Sequence, residues 1–225
     1  MFLHDNLIYH RGRHGNVTRD DNSVIVSENS LQAFRSAIDE KATMVEFDAR
    51  RNPLGKAHFP IIAHDAASCG ETPTIVDVLD AVNARCDVNI EIKDPIIWKQ
   101  VLELVRWYIE YDGWRPEQFM LSTFHHPTAV LIKKHFPEIC VAAIMDAIPL
   151  PRYITMLARN GIDNLHVEWM NADMDMQYGS LFMKQARKLG LHVFVFTVND
   201  LSVARRVHDW GAERIFTDRP ELFPI

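Results

Sequence analysis

The chain has 225 residues, 48% of them hydrophobic, enough to fill the core of one large domain covering residues 1–225. Its net charge of −6 leaves no basic footprint for nucleic acid, and no apolar run approaches the length of a bilayer span, so stable membrane insertion is not expected. Cys69, Cys86 and Cys140 have neither metal-ligand spacing nor the even count of a disulfide framework, and His4, Asp5 and Asn6 interrupt the start of the chain where a leader would be apolar; the expectation is a cytoplasmic protein.

Taken in order, the elements alternate. Leu7-Ile8-Tyr9 reads as a short strand ending at His10. Residues 13–27 read as a loop, and Ser27 to Glu40 as a helix capped by Ser27, with Leu31, Phe34, Ala37 and Ile38 on its apolar face. Met44 to Asp48 is a second strand. Thr72 to Val82 is helical, Val88 to Lys93 a strand, and Pro95 to Tyr111 a long helix. Strands at 119–123, 140–145 and 164–168 alternate with helices at 127–136, 152–160 and 179–189, the last stopped by Gly190. A strand at 192–198, a helix at 201–210 and a strand at 215–217 complete the pattern.

One connection differs. Residues 49–63 contain two prolines, a glycine and no helical period, so Ile61-Ile62 is expected to run back antiparallel to the strand of Glu46 and return His64 to the rim that Asp48 leaves. With that hairpin arm set aside, eight strands with helices remain. Eight such units predict a TIM (β/α)8 barrel, whose chemistry sits at the C-terminal rim of the strands.

That rim collects unusual residues. Glu46 and Asp48 are two apart on one strand and so share a face, and Glu91 and Lys93 do the same on another. Four charges facing a barrel interior without partners are prohibitively costly. A divalent cation on Glu46, Asp48 and Glu91, with Lys93 facing an anionic substrate, removes that cost; the oxygen-only donor set favours Mg²⁺, Ca²⁺ or Mn²⁺ over zinc. The alternative is an internal salt-bridge cluster in which Lys93 pairs with a carboxylate. His10 and His64 reach the same rim beside Arg11 and Asp65, and imidazole suits proton transfer in both directions near neutral pH. Asp65 either orients His64 or caps the following turn. Together these groups are the equipment for metal-assisted cleavage of a phosphate ester.

The ordered series His10-Arg11-Gly12, Glu28-Asn29-Ser30, Glu46-Phe47-Asp48, His64-Asp65, Glu91-Ile92-Lys93, Thr123-Phe124, Thr197-Val198-Asn199 and Thr217-Asp218-Arg219-Pro220 resembles the glycerophosphodiester phosphodiesterase family from residue 10 to residue 223. The resemblance implies hydrolysis of small glycerophosphodiesters to glycerol 3-phosphate and an alcohol. It implies metal binding by Glu46, Asp48 and Glu91, acid/base catalysis by His10 and His64, phosphate contact by Arg11 and Lys93, and support from Glu28 and Asn29, which would hold Arg11. Rival readings are a lysophospholipase D-type activity on lipid-like diesters and a non-catalytic binding barrel; the second should show losses at the metal or histidine positions, and this chain shows none.

The chain departs from the family pattern in places. Ser27 replaces the usual proline before Glu28, Phe196 the usual tryptophan before Thr197, and Asn52-Pro53-Leu54-Gly55 the usual Asp-Gly turn. Only residues 66–71 separate Asp65 from Thr72, whereas residues 13–27 are longer than usual, and that loop is expected to form a mobile wall on the leaving-group side. His125 and His126 read equally as pocket-lining or capping residues, one of His166 and Glu168 reaches substrate, and Cys69 is not expected to act as a nucleophile.

Overall fold

The computed structural model of the chain describes residues 4–19, 22–55, 58–65, 72–174 and 176–223. Cys69 lies outside them. Eight parallel strands close into a barrel: β1 (Leu7–Tyr9), β4 (Met44–Arg50), β6 (Asp87–Ile92), β7 (Phe119–Thr123), β8 (Cys140–Met145), β9 (Asn164–Glu168), β10 (His192–Phe196) and β11 (Arg214–Thr217). Closure comes from β1 lying between β11 and β4, with Tyr9 opposite both Thr217 and Val45. The predicted TIM barrel is the observed fold.

The arm also forms. β5 (Ile61–Ile62) pairs antiparallel with the end of β4, Ile62 opposite Ala49 and Ile61 opposite Arg50. The expected loop after His10 does not. Residues 15–19 and 22–26 instead pair as two antiparallel strands, β2 (Gly15–Arg19) with β3 (Asn22–Val26). Val17 and Val26 bury against Ala33, and Arg13, 6% exposed, ties the hairpin's base to Glu40 (2.9 Å) and Glu221 (3.4 Å).

The helices pack outside the barrel: α1 (Leu31–Asp39), α2 (Ile75–Val82), α3 (Trp98–Tyr111), α4 (His126–His135), α5 (Pro151–Arg159), α6 (Trp169–Met174), α7 (Met176–Lys188) and α8 (Leu201–Trp210). Helix α1 is capped by Ser30, whose side chain accepts from the Ala33 N–H, and not by Ser27; Ser27 instead offers its carbonyl to the Ser30 hydroxyl. The hydroxyl competes best for the orphan N–H groups of the first turn when it sits at their foot. Helix α2 starts on a reciprocal box between Thr74 and Asp77.

Alternation along each strand divides the molecule into two cores. Outward residues such as Phe47, Ile90, Ile92 and Val167 pack under the helices; Phe47 meets Phe34 of α1 edge-on at 5.7 Å, and burying such a side chain contributes roughly 1.5–3 kcal/mol. Inward residues Ile8, Met44, Met120, Ala142, Phe194 and Phe216 plug the barrel. The plug is an apolar floor, and the inward positions above it face the C-terminal mouth.

Candidate active site

Three carboxylates meet at the mouth. The pairing of β4 with β6 sets Asp48 beside Glu91, and Glu46 lies one pleat deeper on the same face as Asp48. Each offers an oxygen within 4.8 Å of the others. All are buried, at 2% (Glu46), 0% (Asp48) and 9% (Glu91) exposure. Their partners come from strand ends. Lys93 Nζ lies 2.7 Å from Glu91 Oε1 and 3.1 Å from Asp48 Oδ1, and Arg11 Nε lies 3.1 Å from Asp48 Oδ2. The Arg11 backbone N–H donates to Glu46 Oε2 (3.0 Å), and Asn29 Nδ2 donates to Asp48 Oδ2 (2.9 Å).

These contacts do not saturate the site. Glu46 Oε1, Asp48 Oδ1 and Glu91 Oε1 are buried without a hydrogen bond, so the Lys93 contacts are ion pairs at close range without hydrogen-bond alignment. Burial, then the charges of Asp48 and Glu91, hold the Glu46 carboxyl well above its usual range. Burial also raises Glu91, against the pull of Lys93. Burial pushes Asp48 up too, but Lys93 and Arg11 overcome it and leave that carboxyl lowered. Three hard oxygens face one another in a buried site, Glu46 Oε1 without a partner and Asp48 Oδ1 and Glu91 Oε1 in ion-pair contact with Lys93, a donor set that fits a divalent cation taking oxygen ligands. Lys93, expected to face substrate, is at once a partner of two carboxylates and a wall of the cavity.

His10 sits at the end of β1 with Nδ1 2.7 Å from Asp218 Oδ1 and Nε2 3.9 Å from Glu46 Oε2. Asp218 is gripped from several sides: His14 Nε2 at 3.2 Å, Asn199 Nδ2 donating at 2.7 Å, and its own N–H donating to Asn199 Oδ1 at 2.8 Å. Burial opposes its charge, but the hydrogen bonds from His10 and His14 hold it well below the usual carboxylate range. An ionised Asp218 accepts a proton-bearing Nδ1, which leaves His10 Nε2 facing the carboxylates. Asp218 was present in the sequence motif without a role; a partner 208 residues away has no local signal.

Arg11 and Asn29 both adopt left-handed backbone, with φ of 56° and 55°. The Asn29 N–H donates to the Arg11 carbonyl at 3.0 Å, and Arg11 donates through its guanidinium to Glu28 Oε1 at 2.8 Å. Gly12 (φ 80°) permits the approach: a Cβ there would meet the Ala33 backbone at 2.9 Å. The start of α1 thereby locks the Arg11 turn over Asp48.

His64 follows β5. Its Nδ1 is 2.9 Å from Asp65 Oδ1, and its carbonyl accepts from Arg50 Nε at 2.7 Å. Arg50 also reaches Asp94 Oδ1 (3.0 Å), whose other oxygen accepts from the Arg51 N–H (2.8 Å), so the end of β6 braces the histidine's backbone. The His64 side chain is 40% exposed, against 16% for His10.

Both histidines line a cavity of about 370 Å³. The same cavity is lined by Phe124, whose ring lies 5.8 Å from Lys93 Nζ, and by Ile144, Trp169, Met170, Phe196 and Phe216. His166 lies among them, buried, with Nε2 unpartnered and its ring 5.5 Å from Phe194 and 4.8 Å from Phe216. Burial pushes its pKa down to about 3, so it is a neutral residue. Glu168 accepts from Asn171 at 2.9 Å. His125 caps α4, and His126 bonds Tyr153 and the Ile144 carbonyl; neither lines the cavity. Among the described residues, none of the 15–26 hairpin lines it either, and the expected wall over the pocket is not found there.

Comparison with known proteins identifies the family and the fold. The model of the glycerophosphoryl diester phosphodiesterase family matches residues 10–72 and 62–222. A curated glycerophosphodiester phosphodiesterase of Bacillus subtilis (strain 168) is 22% identical over 161 residues, which is 68% of this chain but only about half (53%) of that protein. Among solved structures, a glycerophosphodiester phosphodiesterase from Parabacteroides distasonis superposes with a TM-score of 0.75 at 19% identity, over 98% of this chain and 95% of that one. An Oleispira antarctica phosphodiesterase solved with the product sn-glycerol-3-phosphate gives 0.76 at 21% identity, over 96% and 94%. These likenesses concern the fold.

Proposed function

The chain belongs to the glycerophosphoryl diester phosphodiesterase family, and from that premise we propose that it hydrolyses small glycerophosphodiesters to glycerol 3-phosphate and an alcohol, with a divalent cation (Mg²⁺, Ca²⁺ or Mn²⁺) on Glu46, Asp48 and Glu91. The observation that carries the reading is the cluster of three buried carboxylates, with Lys93 as counter-charge to two of them, beside two histidines that line one cavity. When bound, the cation supplies a Lewis acid for the phosphoryl oxygens. Arg11 and Lys93 add positive charge from the side, already aimed by Glu28, Asp48 and Glu91 and thus not reorganised as charge develops. One histidine deprotonates the attacking group, water or the substrate's own hydroxyl, and the other protonates the departing alcohol. Asp218 fixes the tautomer of His10; Arg50 and Asp94 fix the backbone of His64. Phe124, beside Lys93, and Phe196, edge-on to Phe124 at 6.4 Å, supply an apolar wall to the same cavity.

Among the described residues no helix is long and apolar enough to cross a membrane. With Cys86 and Cys140 as free thiols, the reading places the enzyme in the cytoplasm, acting on a small-molecule substrate and not on nucleic acid. The test is hydrolysis of glycerophosphocholine, glycerophosphoethanolamine, glycerophosphoglycerol and a lysolipid in the presence of each cation. Release of glycerol 3-phosphate from the soluble diesters is expected. Cleavage of the lysolipid alone would overturn the substrate assignment.

A further inference from the structure

The chain is acidic, yet residues 147–162 and 176–190 contain Arg152, Arg159, Lys184, Arg187 and Lys188 and no aspartate or glutamate. These segments carry α5 and α7, which lie side by side: Gln185 Nε2 of α7 donates to the Pro151 carbonyl of α5 at 3.4 Å. A groove of about 740 Å³ runs along them, lined by Pro151, Leu181, Lys184, Gln185, Arg187 and Lys188. The same sector exposes large apolar side chains: Leu150 at 76%, Leu181 at 53%, Met156 at 39% and Tyr153 at 37%. It continues to the cavity mouth through α6, where Met170 is 48% exposed and lines the cavity, and where Asn171 donates to the Asp146 carbonyl ahead of Leu150.

We propose that the α5–α7 face is a peripheral docking surface for an anionic phospholipid bilayer, which sets the active-site mouth at the edge of the membrane. Two neighbouring helices that carry five basic residues and no acidic one, on a protein of net charge −6, select a negative partner. The exposed Leu150, Leu181 and Met156 add what a purely electrostatic partner would not use. Lys and Arg around exposed apolar groups let alkyl stems sink while the charges stay at the headgroups, the pattern of interfacial helices. Juxtamembrane basic clusters are attracted to anionic leaflets within a Debye length. The proposal does not depend on the catalytic assignment, because binding to vesicles is read without turnover.

The experiment is co-sedimentation of the full chain with vesicles of phosphatidylcholine alone and of phosphatidylcholine mixed with phosphatidylglycerol. Binding is expected to the mixed vesicles only, and to weaken with added salt. Two variants separate the contributions. Lys184→Glu with Lys188→Glu should lower the partition coefficient by about tenfold or more, and Leu150→Ser with Leu181→Ser should lower it without changing its salt dependence. Arg187 is left in place because its guanidinium packs over Gly211. Both variants should hydrolyse soluble glycerophosphodiesters at the wild-type rate. A chain that stays in the supernatant with anionic vesicles overturns the proposal. So does undiminished binding by the charge-reversed variant, or retention on polyglutamate that equals vesicle binding and ignores the two leucines, which would mark a site for an acidic protein.

Discussion

The two halves of the barrel mouth are built on opposite rules. On β1, β4 and β6 the inward residues at the rim are His10, Glu46, Asp48 and Glu91, with Lys93 just beyond; on β8 to β11 they are Ile144, a neutral His166, Phe196 and Phe216, with one carboxylate, Glu168, at the end of β9. Charges survive burial in the first half because each has a partner within about ion-pair reach, and those left over point at one another. In the second half Glu168 keeps Asn171 as its partner, and the buried His166 gives up its charge instead. The contrast teaches a division of labour: one half does the electrostatic work, and the other lowers the dielectric in which it acts.

The largest effect should come from removing a carboxylate from the charged half. Glu46→Gln should abolish measurable turnover. In chelator it should melt at or above the wild-type temperature, since burial and two neighbouring carboxylates already oppose the charge of Glu46. A variant that keeps its activity would mean that Glu46 is merely a structural partner of the Arg11 turn.

His10→Ala and His64→Ala come next, each lowering the rate by ~10²–10⁴-fold. A diester with a strongly acidic leaving alcohol should rescue only the variant that lacks the general acid. Equal rescue of both would remove the division of roles between them.

A smaller effect is expected one layer out. Asn29→Ala frees Asp48 Oδ2 from its hydrogen bond and relaxes the Arg11 turn, so cation affinity measured by titration calorimetry should fall by ~10–100-fold. The fold should persist, because the strand pairing of Asp48 with Glu91 does not involve Asn29. Unchanged affinity would place the selectivity of the site wholly in the three carboxylates.

The smallest effect probes the apolar half and is one of stability. Folding depresses the pKa of His166 from an ordinary 6.5 to about 3. Between those values the unfolded chain binds a proton that the folded chain refuses, so stability falls as pH drops through that window and is unaffected above it. His166→Phe, placed between Phe194 and Phe216, should lose less melting temperature than wild type on acidification from about pH 7 to about pH 4. Identical acid slopes would show that His166 does not contribute to acid lability.

Much of this was legible from residue order. Short apolar runs marked all nine strand positions expected, and the antiparallel arm was legible because a helix-free link between Asp48 and His64 leaves only a hairpin. The hairpin at 15–26 was missed although Val17 and Val24-Ile25-Val26 flank the turn-forming Asp20-Asp21-Asn22; the charges of Arg19, Asp20 and Asp21 obscured the β-branched pattern. Helix α6 was missed because Asn171, Ala172 and Asp173 carry no apolar period. The carboxylates and histidines were visible because two-residue spacing fixes a face. The supporting groups were not. Asp218 against His10 and Arg50 against the His64 carbonyl are contacts made only once the barrel closes or the arm folds back, and no local pattern encodes either.

The central claim is that Glu46, Asp48 and Glu91 hold the cation on which phosphodiester hydrolysis depends. The direct measurement is the initial rate of glycerol 3-phosphate release from a soluble glycerophosphodiester by chelator-stripped enzyme, before and after Mg²⁺, Ca²⁺ or Mn²⁺ is restored. The account predicts negligible turnover before and recovery after, with at least one of the three ions. Full turnover by the stripped enzyme would contradict it.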